Sequence, residues 1–239
     1  MSADAFCLEE NLMTKKKYFT KGELLLWSCS VIIITVSFVL FDRHGFVTLA
    51  ASLIGVTSLI FNAKGNPLGP LLIIVFSGLY GYISYGFAYY GEMITYLGMS
   101  APIAAVALVA WLRNPYKGNK AQVTVGTLGK KETAVMLVLA VAVTAVFYFI
   151  LSALNTANIV PSTVSVTTSF LAVYLTYKRS EYYALAYAAN DVVLIILWVL
   201  ASIENPSYVS VTVCFAVFLV NDIYGFVSWK RMKKAQQEQ

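Results

Sequence analysis

Unbroken apolar runs constrain this chain more than any motif in it. Leu71-Leu72-Ile73-Ile74-Val75-Phe76 is one example, and it lacks the alternation that a membrane barrel strand needs. Eight such stretches can be marked, at about 24–41, 46–62, 70–87, 93–112, 133–153, 160–177, 182–203 and 207–229. Crossing the hydrocarbon core takes roughly 17 to 25 helical residues. In lipid the backbone must satisfy its own hydrogen bonds, which leaves helices or closed barrels. Composition agrees: the chain is 59% hydrophobic and 12% charged, with mean hydropathy +0.72. A soluble domain is about one quarter charged, so this chain could not cover itself with polar surface. The expected fold class is an all-α integral membrane protein with about eight transmembrane helices.

Charge orients the spans. With the N-terminus inside, Lys15, Lys16, Lys17, Lys21 and Lys64 fall on that side, as do the bases of the loop after Arg113, Lys178 with Arg179, and the tail from Lys230. Arg43 alone falls on the other side, so sixteen of the 17 basic residues are inside. That is a strong positive-inside pattern with both termini cytoplasmic. The bases are topology determinants spread over several loops, and the net charge of +5 does not imply a nucleic-acid partner. The first span reads as a retained anchor, because Phe41-Asp42-Arg43-His44 offers no small-residue cleavage site. Cys7, Cys29 and Cys214 have no metal or redox spacing. No cofactor or metal is expected.

Polar residues inside apolar spans carry the functional signal. Two pairs stand out, Asn190-Asp191 and Asn221-Asp222. An acid at the bilayer midplane costs roughly 2.5–3.5 kcal/mol, so it should face the bundle interior. Asn190 and Asp191 lie near midplane by helical rise, and Asp222 is expected nearer the cytoplasm, at an inner gate. Tyr187, Asp191 and Trp198 share a helix face, with Asn190 beside them. Phe218, Asp222, Gly225 and Trp229 share another, flanked by Asn221, Tyr224 and Ser228. Either acid could instead only hold the bundle together. Trp111 and Trp229 read as interfacial anchors. Pro102, well inside the fourth span, should interrupt its hydrogen bonds and permit a kink.

A repeat organises the spans. The segment 114–132 is the only long polar link, and three spans lie in 46–113 and three more in 160–231. Each triplet ends in Trp followed by a base: Trp111-Leu112-Arg113 and Trp229-Lys230-Arg231. A slightly different shift sets Ser77 opposite Asn190 and Tyr85 opposite Trp198. Charge makes the triplets parallel, with the span 133–153 restoring direction. The expected organisation is a basic lead (1–23), an extra helix (24–41), a three-helix bundle (46–113), a cytoplasmic loop (114–132), a linker helix (133–153), a second bundle (160–231) and a tail (232–239).

The tract Asn221-Asp222-Ile223-Tyr224-Gly225-Phe226-Val227-Ser228-Trp229-Lys230 resembles the Asn-x-x-Tyr-Gly-x-x-x-Trp ending of the PnuC family, relatives of the SWEET transporters. Gly78-Leu79-Tyr80-Gly81-Tyr82 and Phe87-Ala88-Tyr89-Tyr90-Gly91-Glu92 resemble that family's first-half helices. The family commonly carries Trp shortly before the position of Asn190; the tract from Tyr182 to Ala189 has none, which bears on substrate more than on fold. The resemblance implies import of nicotinamide riboside by facilitated diffusion across a bacterial inner membrane, and a homotrimer. On that expectation a ligand with an aromatic ring and a ribose would be held by Asn190 and Asp191, with Tyr187 or Trp198 stacking. Ser77 and Tyr80 would form a wall, with Asn221, Asp222 and Tyr224 toward the inner gate. An acid suits the positive ring of nicotinamide riboside or of thiamine. Riboflavin, a deoxynucleoside, or a receptor that transports nothing are the competing readings. The chain has no phosphate loop, nucleophile elbow or zinc motif, and is not expected to be an enzyme.

Overall fold

A computed structural model describes residues 18–86 and 89–238. Cys7, residues 15–17, Phe87 and Ala88 lie outside the described residues. Among the described residues, eight helices are long and apolar enough to cross a membrane. They are α1 (Lys21–Phe41), α2 (Phe46–Ala63), α3 (Leu68–Gly86), α4 (Tyr90–Arg113), α5 (Lys130–Ala153), α6 (Ile159–Tyr177), α7 (Tyr183–Glu204) and α8 (Val209–Gln237). A capping box starts α1: Thr20 N–H donates to Glu23 Oε2 at 2.7 Å, and Glu23 N–H to Thr20 Oγ1 at 3.2 Å, which satisfies two free helix-start donors. The helix α4 carries the interruption expected from Pro102. Its turn Thr95–Ser100 is π-helical, because proline lacks an N–H and crowds the carbonyl four residues back.

Six helices close a ring in the order α2, α3, α4, α6, α7, α8 and back to α2. The three helices of each half pack consecutively, and each half's first helix meets the other half's last. The remaining two lie outside the ring, α1 against α8 and α2, and α5 against α6. Hydrogen bonds repeat the same twofold relation. Trp111, ending α4, donates Nε1–H to the Thr176 carbonyl at 2.9 Å, and Trp229, in the last helix of the other half, donates to the Asn62 carbonyl at 2.7 Å. The turns after α2 and α6 each reverse through a left-handed residue, Gly65 (φ 66°) and Arg179 (φ 57°).

The link between the halves is structured. It holds a short antiparallel pair, Pro115–Tyr116 with Asn119–Val123. Val123 N–H then donates to the Gly65 carbonyl at 2.9 Å, and Gly126 N–H to the Arg179 carbonyl at 2.8 Å. This end of the ring, which carries most of the bases, is thus spanned by a strap bonded to equivalent turns of both halves. The expected tail is also helix: α8 runs on to Gln237, and Gln236 bonds the strap at Val123 O and Val125 N.

Two expectations about the tryptophans change. Trp111 and Trp229 are 0% exposed and touch at 5.4 Å between centroids, so they close the ring from within and are not interfacial anchors. Tyr85 is 60% exposed, and Trp198 instead donates Nε1–H to the Tyr80 hydroxyl at 2.7 Å across a separation of 118 residues. Trp111 and Trp229 are the same distance apart in sequence, so one register relates both contacts.

The outer helix α1 is fastened by polar groups of α8 and α2. Asn221 Nδ2 donates to Ser30 Oγ at 2.9 Å. Tyr224 O–H donates to Glu23 Oε1 at 2.9 Å, and Lys64 pairs with Glu23 at 3.2 Å. In an apolar solvent such bonds hold helices together, at roughly 0.6 kcal/mol each on average. Asn221→Ala is therefore expected to lower the melting temperature by a few degrees and to leave ligand affinity unchanged. Thermal melts with and without ligand check it; a large loss of affinity would place Asn221 in the site.

Candidate functional site

The centre of the ring holds a polar chamber to which all six helices contribute. Ser58 comes from α2, Ser77 from α3, Tyr96 and Ser100 from α4, Ser169 from α6, Tyr187, Asn190 and Asp191 from α7, and Asp222 from α8. Tyr96 and Ser100 sit on the π-helical turn, which brings both to the chamber. Leu59, Ile73, Phe76, Phe215 and Phe218 complete the wall. The Phe218 ring lies so close to Gly55 that a Cβ there would collide with it; a residue without a side chain lets α8 approach α2.

Asn190 is held in a fixed orientation. Its Oδ1 accepts from Thr168 Oγ1 at 2.7 Å, Ser169 Oγ at 3.0 Å and Ser165 Oγ at 3.4 Å. Those bonds occupy the carbonyl side with α6 and leave the amide donors for the chamber. Asp191 of α7 and Asp222 of α8, both buried, line the same chamber. Two ionised carboxylates are acceptors only, so neither can satisfy the other without a proton or a cation between them. Among the described residues, Ser77 Oγ and Asp191 Oδ2 have no hydrogen-bond partner, which leaves polar capacity for an occupant. No lining residue is basic.

Aromatic layers close both ends. Toward the end of Arg43, Tyr80 packs on Tyr96 (4.5 Å), Phe215 (5.4 Å), Phe76 (5.5 Å) and Trp198 (6.2 Å). Toward the basic end, Trp229 packs on Tyr183 (4.8 Å) as well as on Trp111. The open space between these layers is about 30 Å³, room for about two waters, where small-molecule pockets run to roughly 300–1,000 Å³. A larger cleft of about 630 Å³ lies between α5 and α6. Its lining is apolar except for tyrosine and threonine, and Thr144 and Thr167 already bond each other at 2.6 Å.

Of the residues singled out from sequence, Ser77, Tyr187, Asn190, Asp191 and Asp222 meet in the chamber. Tyr80 and Trp198 form the layer beyond it. Asn221 and Tyr224 turn away toward α1, because residues adjacent in a helix point about 100° apart. Ser77 does not bond Asn190; the hydroxyls of α6 do. Asp222 is level with Asp191 and not nearer the basic end, since each lies about two turns from the Trp229–Tyr183 layer and both line the same chamber. The hydroxyl-rich tract Ser162-Thr163-Val164-Ser165-Val166-Thr167-Thr168-Ser169 was the missed signal.

A ring of membrane helices around a polar chamber closed at both ends by aromatic layers fits the class of membrane transporters. The chain belongs to the nicotinamide mononucleotide transporter family, whose model matches residues 45–231. It is similar to the nicotinamide riboside transporter PnuC of Neisseria mucosa, 26% identical over 204 residues, covering 83% of this chain and 77% of that protein. The fold matches a crystal structure of the vitamin B3 transporter PnuC with a TM-score of 0.80 at 24% identity, over 91% of this chain and 94% of that one.

Proposed function

We propose that this protein carries nicotinamide riboside across a bacterial inner membrane by alternating access, with its basic end and both termini in the cytoplasm. One observation carries the reading: Asn190, Asp191 and Asp222 converge in a closed chamber at the centre of the six-helix ring. The paired carboxyls suit a single positive charge, the amide donors of Asn190 suit ribose hydroxyls or a carboxamide, and Tyr187 offers a face for stacking. The name of the Neisseria relative supports the same substrate. A chamber with two acids and no bases repels a phosphate, so the nucleoside is favoured over the nucleotide in the family's name. Thiamine, which also carries a cationic ring, is the second reading. The positive-inside pattern supports the orientation. Because the chamber is far smaller than a nucleoside, ligand entry requires one aromatic layer to open while the other stays shut. The homotrimer implied by the family resemblance would cover part of the exposed apolar surface of α5, which includes Val138, Val141 and Phe149, and lipid would cover the rest.

Thermal melts with nicotinamide riboside, its mononucleotide, thiamine, riboflavin and a deoxynucleoside test the assignment. Ligand at one hundred times its Kd stabilises the folded state by about 2.7 kcal/mol. Nicotinamide riboside is expected to raise the melting temperature and to equilibrate across proteoliposomes, and the mononucleotide to do neither. A folded protein that responds to none of them would sink the reading.

A further inference from the structure

One buried acid outside the chamber differs from Glu23 and Glu181, which are buried but paired with lysines. Glu92, in the first turn of α4, is 0% exposed. Among the described residues, neither of its carboxyl oxygens has a hydrogen-bond partner, and it enters no ion pair. Buried charges are ordinarily paired or hold a cation. The turn that carries Glu92 packs against α3 and α6, and hydroxyls lie on these elements. Thr95 lies one turn on from it along the same helix face, buried and with Oγ1 unpartnered. Ser84 is fully buried with Oγ unpartnered, on the turn of α3 that follows Tyr80. Ser165 of α6 lies within reach of Glu92 while its hydroxyl is directed at Asn190, 3.4 Å away. Tyr89 lies one turn before Glu92 and Tyr96 one turn after it, and Tyr80 packs on Tyr96 at 4.5 Å; these phenols bring no positive charge. A cation would use these oxygens together.

We propose that Glu92, with Thr95, Ser84 and Ser165, forms a cation site on the outer side of the Tyr80–Trp198 layer, distinct from the Asp191–Asp222 chamber. Its ligand is one unit of positive charge surrounded by oxygen donors. Sodium is one source; the positive ring of the substrate on its way to the chamber is the other, and that second source rests on the function proposed above. Ser165 joins the two sites, because it stands beside Glu92 and reaches the carbonyl of Asn190. A charge at Glu92 is thereby sensed at the amide that orients the ligand.

Two measurements on the purified full chain separate the sources. In the first, sodium chloride replaces N-methyl-D-glucamine chloride at constant ionic strength while the melting temperature is read. A rise in wild type that is absent in Glu92→Gln assigns sodium. In the second, proteoliposome entry of cationic nicotinamide riboside is compared with entry of its uncharged dihydro form. A KM raised about tenfold for the cation alone in Glu92→Gln, and restored in Glu92→Asp, assigns the substrate's ring. Glu92→Gln equal to wild type in both measurements overturns the site and shows a carboxyl that merely carries its own proton. Should that variant not fold, Thr95→Val removes a ligand oxygen and keeps the charge. A response weakened about threefold in either measurement supports the site, and none overturns it. Wild-type protein that does not take up nicotinamide riboside would refute the proposed function, yet leave the sodium measurement on Glu92 decisive.

Discussion

Asp191→Asn combined with Asp222→Asn is expected to weaken nicotinamide riboside binding about 100-fold, with the uncharged dihydro form changed less than about threefold. The two aspartates are the only acids that line the chamber, so together they supply its entire negative charge. Losing one charged partner of a buried pair costs about 2–5 kcal/mol; a value toward the lower end, about 2.7 kcal/mol, gives the 100-fold figure. Asp191→Asn alone leaves Asp222 in contact with the same space, so its effect is smaller, about tenfold. Stability should move the other way. Neutral amides bury at less cost than carboxyls that lack a cation, so the double variant should melt no lower than wild type. Isothermal titration with both ligands, beside thermal melts, separates these outcomes. Equal losses for the charged and uncharged ligands would remove the electrostatic argument and leave the acids a purely packing role.

The spans and the symmetry were legible because each rests on a local signal. Lipid demands apolar runs, and the strap and turns carry the charges that orient them. The matching endings at Trp111 and Trp229 disclosed the repeat, since both tryptophans perform the same hydrogen bond on the opposite half. Depth was less legible. Asp222 looked cytoplasmic because it precedes a basic tail, but α8 continues as helix to Gln237, so the distance to the tail does not measure the distance to the membrane edge. Facing was misjudged where a pair was treated as a unit: Asp222 enters the chamber while Asn221 fastens α1. The partners of Asn190 could not be read from its own helix, because they come from the serine and threonine face of α6. Such hydroxyls often bond their own helix carbonyls, and only packing shows which of them turn outward.

Trp229→Ala is expected to destabilise the protein by about 3 kcal/mol and to let the basic end of the ring open without ligand. Trp229 is fully buried and touches Trp111 and Tyr183. Its truncation leaves a cavity and removes one of two donors to the Asn62 carbonyl, which keeps Gly65 N–H at 2.9 Å. Lipid is as apolar as the side chain, so the hydrophobic part of the usual cost shrinks; lost dispersion contacts and the lost hydrogen bond remain. Trp229→Phe separates the two terms, since it keeps an aromatic layer and removes the donor, with about 0.5–1.5 kcal/mol lost. Trp111→Ala should cost about as much as Trp229→Ala, because it breaks the equivalent bond to Thr176. The two costs should not add. Each indole is part of the other's wall, so the double variant loses their mutual contact only once, and the coupling should be about 0.5–3 kcal/mol. A double-mutant cycle by thermal melts measures it, and labelling of a cysteine placed at Tyr187 reports opening from the basic side. Additive costs, or no gain in labelling, would show that the tryptophan pair is not the inner closure.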